Sequence, residues 1–146
     1  MRFWDSSALV PLFVAGHRTR AVQAAYTRDT DVIVWWGTPV ECASALARRE
    51  REGALSESDA AESFARLDAF AASWMQIDPS DEIRESARRF LRVHPLRAAD
   101  ALQLAAALIA AERRPSTLTV VTLDDRLRDA AGREGFGFEE LPDLTA

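Results

Sequence analysis

The chain has 146 residues, 48% apolar and 28% charged, enough for one domain with a real core and unlike a disordered or low-complexity chain. Acids outnumber bases 23 to 18, for a net charge of −5, so bulk positive charge does not hold nucleic acid here and such a role needs another cation. Every basic residue apart from His17 and His94 is arginine, which excludes Schiff-base lysines, lysine general bases and a Walker-type phosphate lysine.

In chain order, Arg2-Phe3-Trp4 reads as a short strand ending at Asp5, and Ser6–Val10 as the turn into a short helix that tolerates Pro11 in its first turns. His17–Arg28 carries Ala21, Val22, Ala25 and Tyr26 at helical spacing, and Asp31–Trp36 is a continuous apolar run with the texture of a buried parallel strand. Thr38-Pro39-Val40-Glu41 opens a helix to about Glu52 with a capping-box pattern and proline at the first helical position, and Gly53 ends it. Ser56 begins a helix to about Ser73, and Trp74–Ile77 follows as a third strand. Pro79 and Ser80 start a helix whose Ile83, Ala87, Phe90 and Leu91 line one face until His94-Pro95. Asp100–Arg113 is an Ala/Leu-rich, buried helix, Ser116–Leu123 a fourth strand, Asp124–Arg133 a helix, and Gly137–Leu141 a last short segment.

Cys42 is the lone cysteine and cannot form an internal disulfide, and the two histidines are too far apart for a zinc spacing. The start meets Asp5 at once, without the apolar stretch of an export signal. The longest apolar run apart from Gln103, Ala101–Ala111, is too short to span a membrane. A cytoplasmic, zinc-free protein without a membrane segment is expected.

Alternating strands and helices imply right-handed parallel crossovers and a three-layer α/β/α domain with a central parallel sheet, taken as one unit over 1–146. In such sheets ligands bind outside the carboxyl ends of the strands. Asp5, Glu41, Asp100 and Asp124 all fall there. Each also has a local explanation. Asp5 suits a turn or helix cap, Glu41 completes Thr38-x-x-Glu41, Asp100 gains from the helix dipole with Arg97 three residues before it, and Thr122-x-x-Asp125 forms a second capping-box pattern beside Asp124.

What those local roles do not require is one shared end of the sheet. Carboxylates brought within a few ångströms repel and raise each other's pKa unless a cation neutralises them. Magnesium or manganese is the natural compensation, because it takes oxygen ligands and keeps waters for substrate phosphate oxygens. The chemistry this implies is metal-assisted phosphoryl transfer to water.

At these residues the chain resembles the PIN-domain ribonucleases, and within them the VapC-type toxins of bacterial toxin–antitoxin pairs. Four segments carry the resemblance: Phe3–Val10, Thr38–Leu46, Leu96–Ala107 and Val121–Leu127. It implies an Mg²⁺-dependent endoribonuclease, with Mn²⁺ as a substitute, leaving a 5′-phosphate and a 3′-hydroxyl. Asp5, Glu41, Asp100 and Asp124 would form the acidic site, with Asp5 and Asp100 the direct metal ligands and Ser7 and Thr122 supporting hydroxyls. It further implies a homodimer, an RNA substrate and a cognate VapB-like antitoxin seated in an apolar groove. Phe13, Trp35, Trp36 and the Phe64–Phe70 helix are candidates for such surfaces, core being the usual place for aromatics at this spacing. Where the family often has histidine, this chain has Gln103, and Asp125 stands beside Asp124.

Arginines at 48, 49 and 51, at 84, 88, 89 and 92, and at 126 and 128 are candidates to track an RNA backbone or to solvate helix faces, with Arg97 favoured for substrate by its place near Asp100. A response-regulator receiver shares the α/β/α plan and acidic Mg²⁺ site, but relies on a lysine that is absent here. A PIN-fold binding module with little nuclease activity and a metal-dependent nuclease acting on DNA are the remaining alternatives.

Overall fold

The computed structural model describes residues 1–143. Its strands are β1 (Arg2–Trp4), β2 (Val32–Trp35), β3 (Met75–Ile77), β4 (Thr119–Val121) and β5 (Gly137–Phe138). They form one sheet in the order β3-β2-β1-β4-β5, and all four pairings are parallel. The helices are α1 (Ser6–Phe13), α2 (Thr19–Arg28), α3 (Thr38–Arg51), α4 (Glu57–Ala71), α5 (Asp81–Val93), α6 (Ala98–Ala110) and α7 (Asp125–Arg133). The three-layer α/β/α architecture expected from the alternation is present. The single unit expected over 1–146 extends past the described residues at 144–146.

Period-two alternation builds the layers. Phe3, Ile33 and Val120 point into a core with α5, α6 and α7, while their neighbours Trp4, Val32, Val34 and Val121 point into a second core with α1 to α4. Both faces of β1, β2 and β4 are therefore apolar, as a parallel sheet covered on two sides requires. The small Ala101, Ala105, Ala106 and Ala107 of α6 are all buried, letting that helix lie close against the sheet and α5. Phe13 is fully buried with Trp74 and Phe70 around it, so it is core and no part of a surface, whereas Trp36 is 53% exposed.

Several boundaries differ from the expectation, each for a local reason. The second helix begins at Thr19 because Gly16 N–H is taken by Thr19 Oγ1 at 2.9 Å in a turn that precedes it. Helix α6 ends at Ala110, short of Arg113, because Glu112 and Arg113 adopt left-handed φ values of 52° and 61°. A short 3-10 turn over Pro115–Thr117 takes the start of the fourth expected strand. Pro11 is the sixth residue of α1, beyond the first turn, yet the helix runs on to Phe13. Lacking an N–H, Pro11 leaves the carbonyl of Ser7 without its helical donor.

Candidate active site

The backbone of Asp5 belongs to two elements at once. Its N–H reaches Val121 O at 3.0 Å, the last rung between β1 and β4, while its carbonyl accepts Ala8 N–H at 3.1 Å as the first bond of α1. Asp5 is the residue preceding α1, but its side chain makes no capping bond. The buried carboxylate instead accepts from Ser7 Oγ at 2.5 Å and Thr122 Oγ1 at 2.8 Å on Oδ2, with Ser6 Oγ at 3.4 Å from Oδ1.

Those hydroxyls are fixed by β4's exit. Ser7 Oγ accepts Leu123 N–H at 2.9 Å, and Thr122 Oγ1 accepts Asp124 N–H at 3.0 Å. Each hydroxyl thus spends its acceptor on the backbone and has its proton left for Asp5. Asp124, the residue before α7, caps that helix, its Oδ1 accepting Leu127 N–H at 3.0 Å. The Thr122-x-x-Asp125 capping box is therefore not formed: the cap lies two residues later, Thr122 serves Asp5, and Asp125 is the exposed first residue of α7.

Glu41 also departs from its local explanation. Gly37 stands where Thr38 was expected as cap, and α3 starts without a side-chain capping bond. A side chain at 37 would meet the Trp35 ring nitrogen at 2.6 Å, so the tight entry into α3 needs glycine. Thr38 is then the first helical residue, fully buried, and accepts from Gln103 Nε2 at 2.9 Å. The same nitrogen donates to Glu41 Oε1 at 2.5 Å. Gln103 lies one turn after Asp100 on α6, in the core, with its Oε1 unpartnered. Its bonds to Thr38 and Glu41, 65 and 62 positions away, make it the site residue that sequence reasoning passed over. The available signal was a fully polar side chain in an otherwise Ala/Leu helix, three residues after an acid.

Asp100 sits in the first turn of α6, its Oδ2 accepting the Arg97 N–H at 3.4 Å. The Arg97 side chain makes no ion pair with it and lines the exposed cleft beside Ala99, Asp100, Asp124, Asp125 and Arg126.

Three of the four acids are lifted above their usual range. Burial above all, then the charges of Asp100 and Asp124, hold Asp5 above the usual carboxylate range against the lowering pull of Ser7 and Thr122. Burial chiefly, with Asp5 and Asp100 adding to it and the Gln103 bond opposing, lifts Glu41 to about 7. Asp100 is raised by burial and by Asp124, partly offset by Arg97 and Arg126. Cys42, next to Glu41 but buried, is pushed up to about 12 and serves packing, not nucleophilic chemistry.

The donor set is all oxygen and net negative, the composition that suits a hard divalent cation. Among the described residues no three His, Cys, Asp or Glu side chains stand close enough to form a finished ligand cage. Burial first, and then the charges of Asp100 and Asp124, raise Asp5 nonetheless, so a cation between Asp5 and Asp100 would relieve a repulsion already built into the fold.

A parallel α/β/α domain with a buried aspartate and three part-buried acids at the carboxyl edge of its sheet is the class these features define. A family model described as PIN domain matches residues 2–133. The chain belongs to the PIN domain family. A search of curated protein sequences finds no match. Among solved structures, the chain is similar to a toxin–antitoxin complex from Klebsiella pneumoniae, with 18% identity over 99% of this chain and 100% of that one, at a TM-score of 0.67. It is also similar to PAE2754 from Pyrobaculum aerophilum (22% identity, 94% and 89% coverage, TM-score 0.65) and FitAcB from Neisseria gonorrhoeae (18%, 96% and 97%, 0.65). At these identities the likeness is one of fold.

Proposed function

We propose that the protein is a divalent-metal-dependent endoribonuclease, the toxin of a type II toxin–antitoxin pair. The observation that carries this reading is the buried Asp5 carboxylate at the sheet's carboxyl edge, held by Ser7 and Thr122 and raised by its burial and then by Asp100 and Asp124. Membership of the PIN domain family supports it. One of the similar folds is a toxin–antitoxin complex, which supports a VapB-like antitoxin as partner. Homodimerisation and a cytoplasmic location belong to the same reading. Among the described residues no helix is long and apolar enough to cross a membrane.

Asp5 and Asp100 would hold the ion, Mg²⁺ or Mn²⁺, with Asp124 completing the acidic edge. The ion, when bound, supplies positive charge to the phosphate oxygens and acidifies water for in-line attack. The rest of the work falls to the chain. Ser7 and Thr122 lock the Asp5 carboxylate in one orientation, the support that metal-ligating carboxylates need. Gln103 occupies Glu41 Oε1, so Oε2 is the oxygen left to take a proton from the attacking water. A carboxyl lifted to about 7 is suited to that exchange near neutral pH.

The test is cleavage of a mixed pool of structured RNAs by the purified protein with Mg²⁺, with Mn²⁺ and with chelator, alongside Asp100→Asn. Metal-dependent cutting that the variant lacks is the expected result. Cutting of single-stranded DNA but no RNA would move the substrate to DNA, and no cutting with no metal-induced shift in melting would leave a binding module.

A further inference from the structure

Of the four tryptophans only Trp36 is exposed: Trp4 and Trp74 are buried and Trp35 is half-buried. Its place is fixed nonetheless. The Trp36 N–H donates to Ile77 O at 3.1 Å, just beyond the pairing of Trp35 with Ile77, which ties its backbone to the ends of β2 and β3. Its ring meets that of Trp35 edge to face, with centroids 6.5 Å apart and planes at 69°. Gly37 follows, so close to the Trp35 ring that no side chain fits there. An indole held in this way loses little further freedom when something packs on it.

The local arrangement is a hydrophobic staple with one half missing. Gly37 is the residue before α3, so Trp36 holds the place whose side chain ordinarily packs on the fourth helical residue. Here that fourth residue is Glu41, an acid turned inward to Gln103. The staple therefore lacks its apolar second half, and Val40, between the two in the helix, is itself 71% exposed. The sheet brings the same indole toward Asp5. The register Phe3↔Ile33, carried on by two residues, sets Asp5 level with Trp35 on the adjacent strand, about 4.8 Å away.

We infer that Trp36 is a platform on which one unpaired nucleobase of the substrate stacks, the base flanking the phosphate presented to the acids, and that it gives this position a preference for purines. The inference rests on the nuclease reading and adds a specificity-determining residue to it. An indole beside Glu41 and one strand from Asp5 reaches a base next to the reacting bond, not one several nucleotides away. Stacking needs no positive charge, which suits a chain of net charge −5. Every base has a face to offer, and the larger face of a purine is held more tightly. A second copy of the chain would need a far larger apolar area than an indole and a valine present.

The experiment is fluorescence anisotropy with the full chain in chelator across a salt series. The labelled probes are oligoadenylate, oligouridylate and a ribose-phosphate strand of the same length without bases, so that no binding register has to be known. The variants are Trp36→Leu, Trp36→Phe and, as a control on another exposed apolar residue, Val93→Ala. Circular dichroism confirms that each folds, and sedimentation velocity reports its mass. The parent is expected to bind oligoadenylate most tightly and the baseless strand least. Trp36→Leu should weaken oligoadenylate binding about tenfold and leave the baseless strand unchanged. Its slope of log affinity against log salt should match the parent's, since no phosphate contact is lost. Trp36→Phe should keep most of the difference between strands, and Val93→Ala all of it.

Unchanged oligoadenylate affinity in Trp36→Leu overturns the platform, as does an equal loss on all three strands or a parent that binds none of them. A Trp36→Leu variant of smaller mass that still prefers oligoadenylate also overturns it, making the indole a subunit contact. The two readings separate. Base-dependent binding lost in Trp36→Leu, with no cutting under any metal, removes the nuclease and leaves the platform. Cutting of the mixed RNA pool by Trp36→Leu at the parent's sites and rate removes the platform and leaves the nuclease.

Discussion

Thr122 Oγ1 donates to Asp5 Oδ2 at 2.8 Å across 117 positions of sequence, and the same oxygen accepts the Asp124 N–H. One hydroxyl thereby sets the carboxylate at the end of β1 and the backbone that carries the acid before α7. Thr122→Val keeps the shape and removes both bonds, leaving a buried carboxylate and a part-buried N–H short of a partner. The expected loss is about 1–3 kcal/mol of stability by urea denaturation, with cleavage down about tenfold or more. Thr122→Ser restores most of both, since the hydroxyl is what matters.

Gln103 offers the opposite balance. Its Nε2 serves Thr38 and Glu41, but its buried Oε1 has no partner. In Gln103→Met the buried Thr38 hydroxyl and Glu41 Oε1 lose their donor while the unpartnered oxygen goes too and offsets part of that cost, so the stability from urea denaturation is expected to fall by no more than about 1–3 kcal/mol. Cleavage should fall far more than stability, with kcat affected more than KM, because Glu41 is free to turn. Equal losses of stability and activity would reduce Gln103 to a packing residue.

Asp5→Asn removes one of the repelling charges while still accepting from the hydroxyls through its carbonyl oxygen. In chelator the variant is expected to melt at or above the parent's temperature, and to show none of the parent's stabilisation on adding Mg²⁺. Cleavage should be abolished. A variant that melts lower in chelator would mean that the charge is better tolerated than the raised pKa of Asp5 implies.

Acidity gives a further check. Glu41 has its folded pKa raised from 4.5 to about 7, and Asp5 and Asp100 shift in the same direction. A raised carboxyl binds its proton more tightly folded than unfolded, so its stabilising contribution is full below pH 4.5 and is lost as pH climbs through about 7. Without metal, melting temperature should therefore fall between about pH 5 and about pH 8. Glu41→Gln should flatten part of that fall, and Mg²⁺ should oppose it, being favoured by the ionised carboxyls. Melting curves across that pH range with chelator or Mg²⁺ decide the matter.

The fold was legible because strand-length apolar runs and Ala/Leu-rich helices alternate, and because period two sends Phe3 and Trp4 to opposite cores. The position of the acids was legible too, each falling just after a strand or in the first turn of a helix. What local sequence misjudged was register. Thr38-x-x-Glu41 has the form of a capping box, but Gly37 is the residue before helix α3, so Thr38 and Glu41 turn inward to Gln103. Thr122-x-x-Asp125 fails likewise, because Thr122's hydroxyl is claimed by an aspartate from the far end of the chain. Such competition between a near partner and a distant one is decided by tertiary packing, which a four-residue pattern does not contain.

Strand β1 lies in the middle of the five-strand order, hydrogen-bonded on both sides, and Asp5 extends it by one more rung to Val121. Amides at such a position exchange with solvent only when the whole domain opens. The most deeply buried acid is therefore anchored where no local fraying can let it escape to water. Any cation that neutralises it is felt as slower exchange throughout the sheet, not as the ordering of a nearby loop.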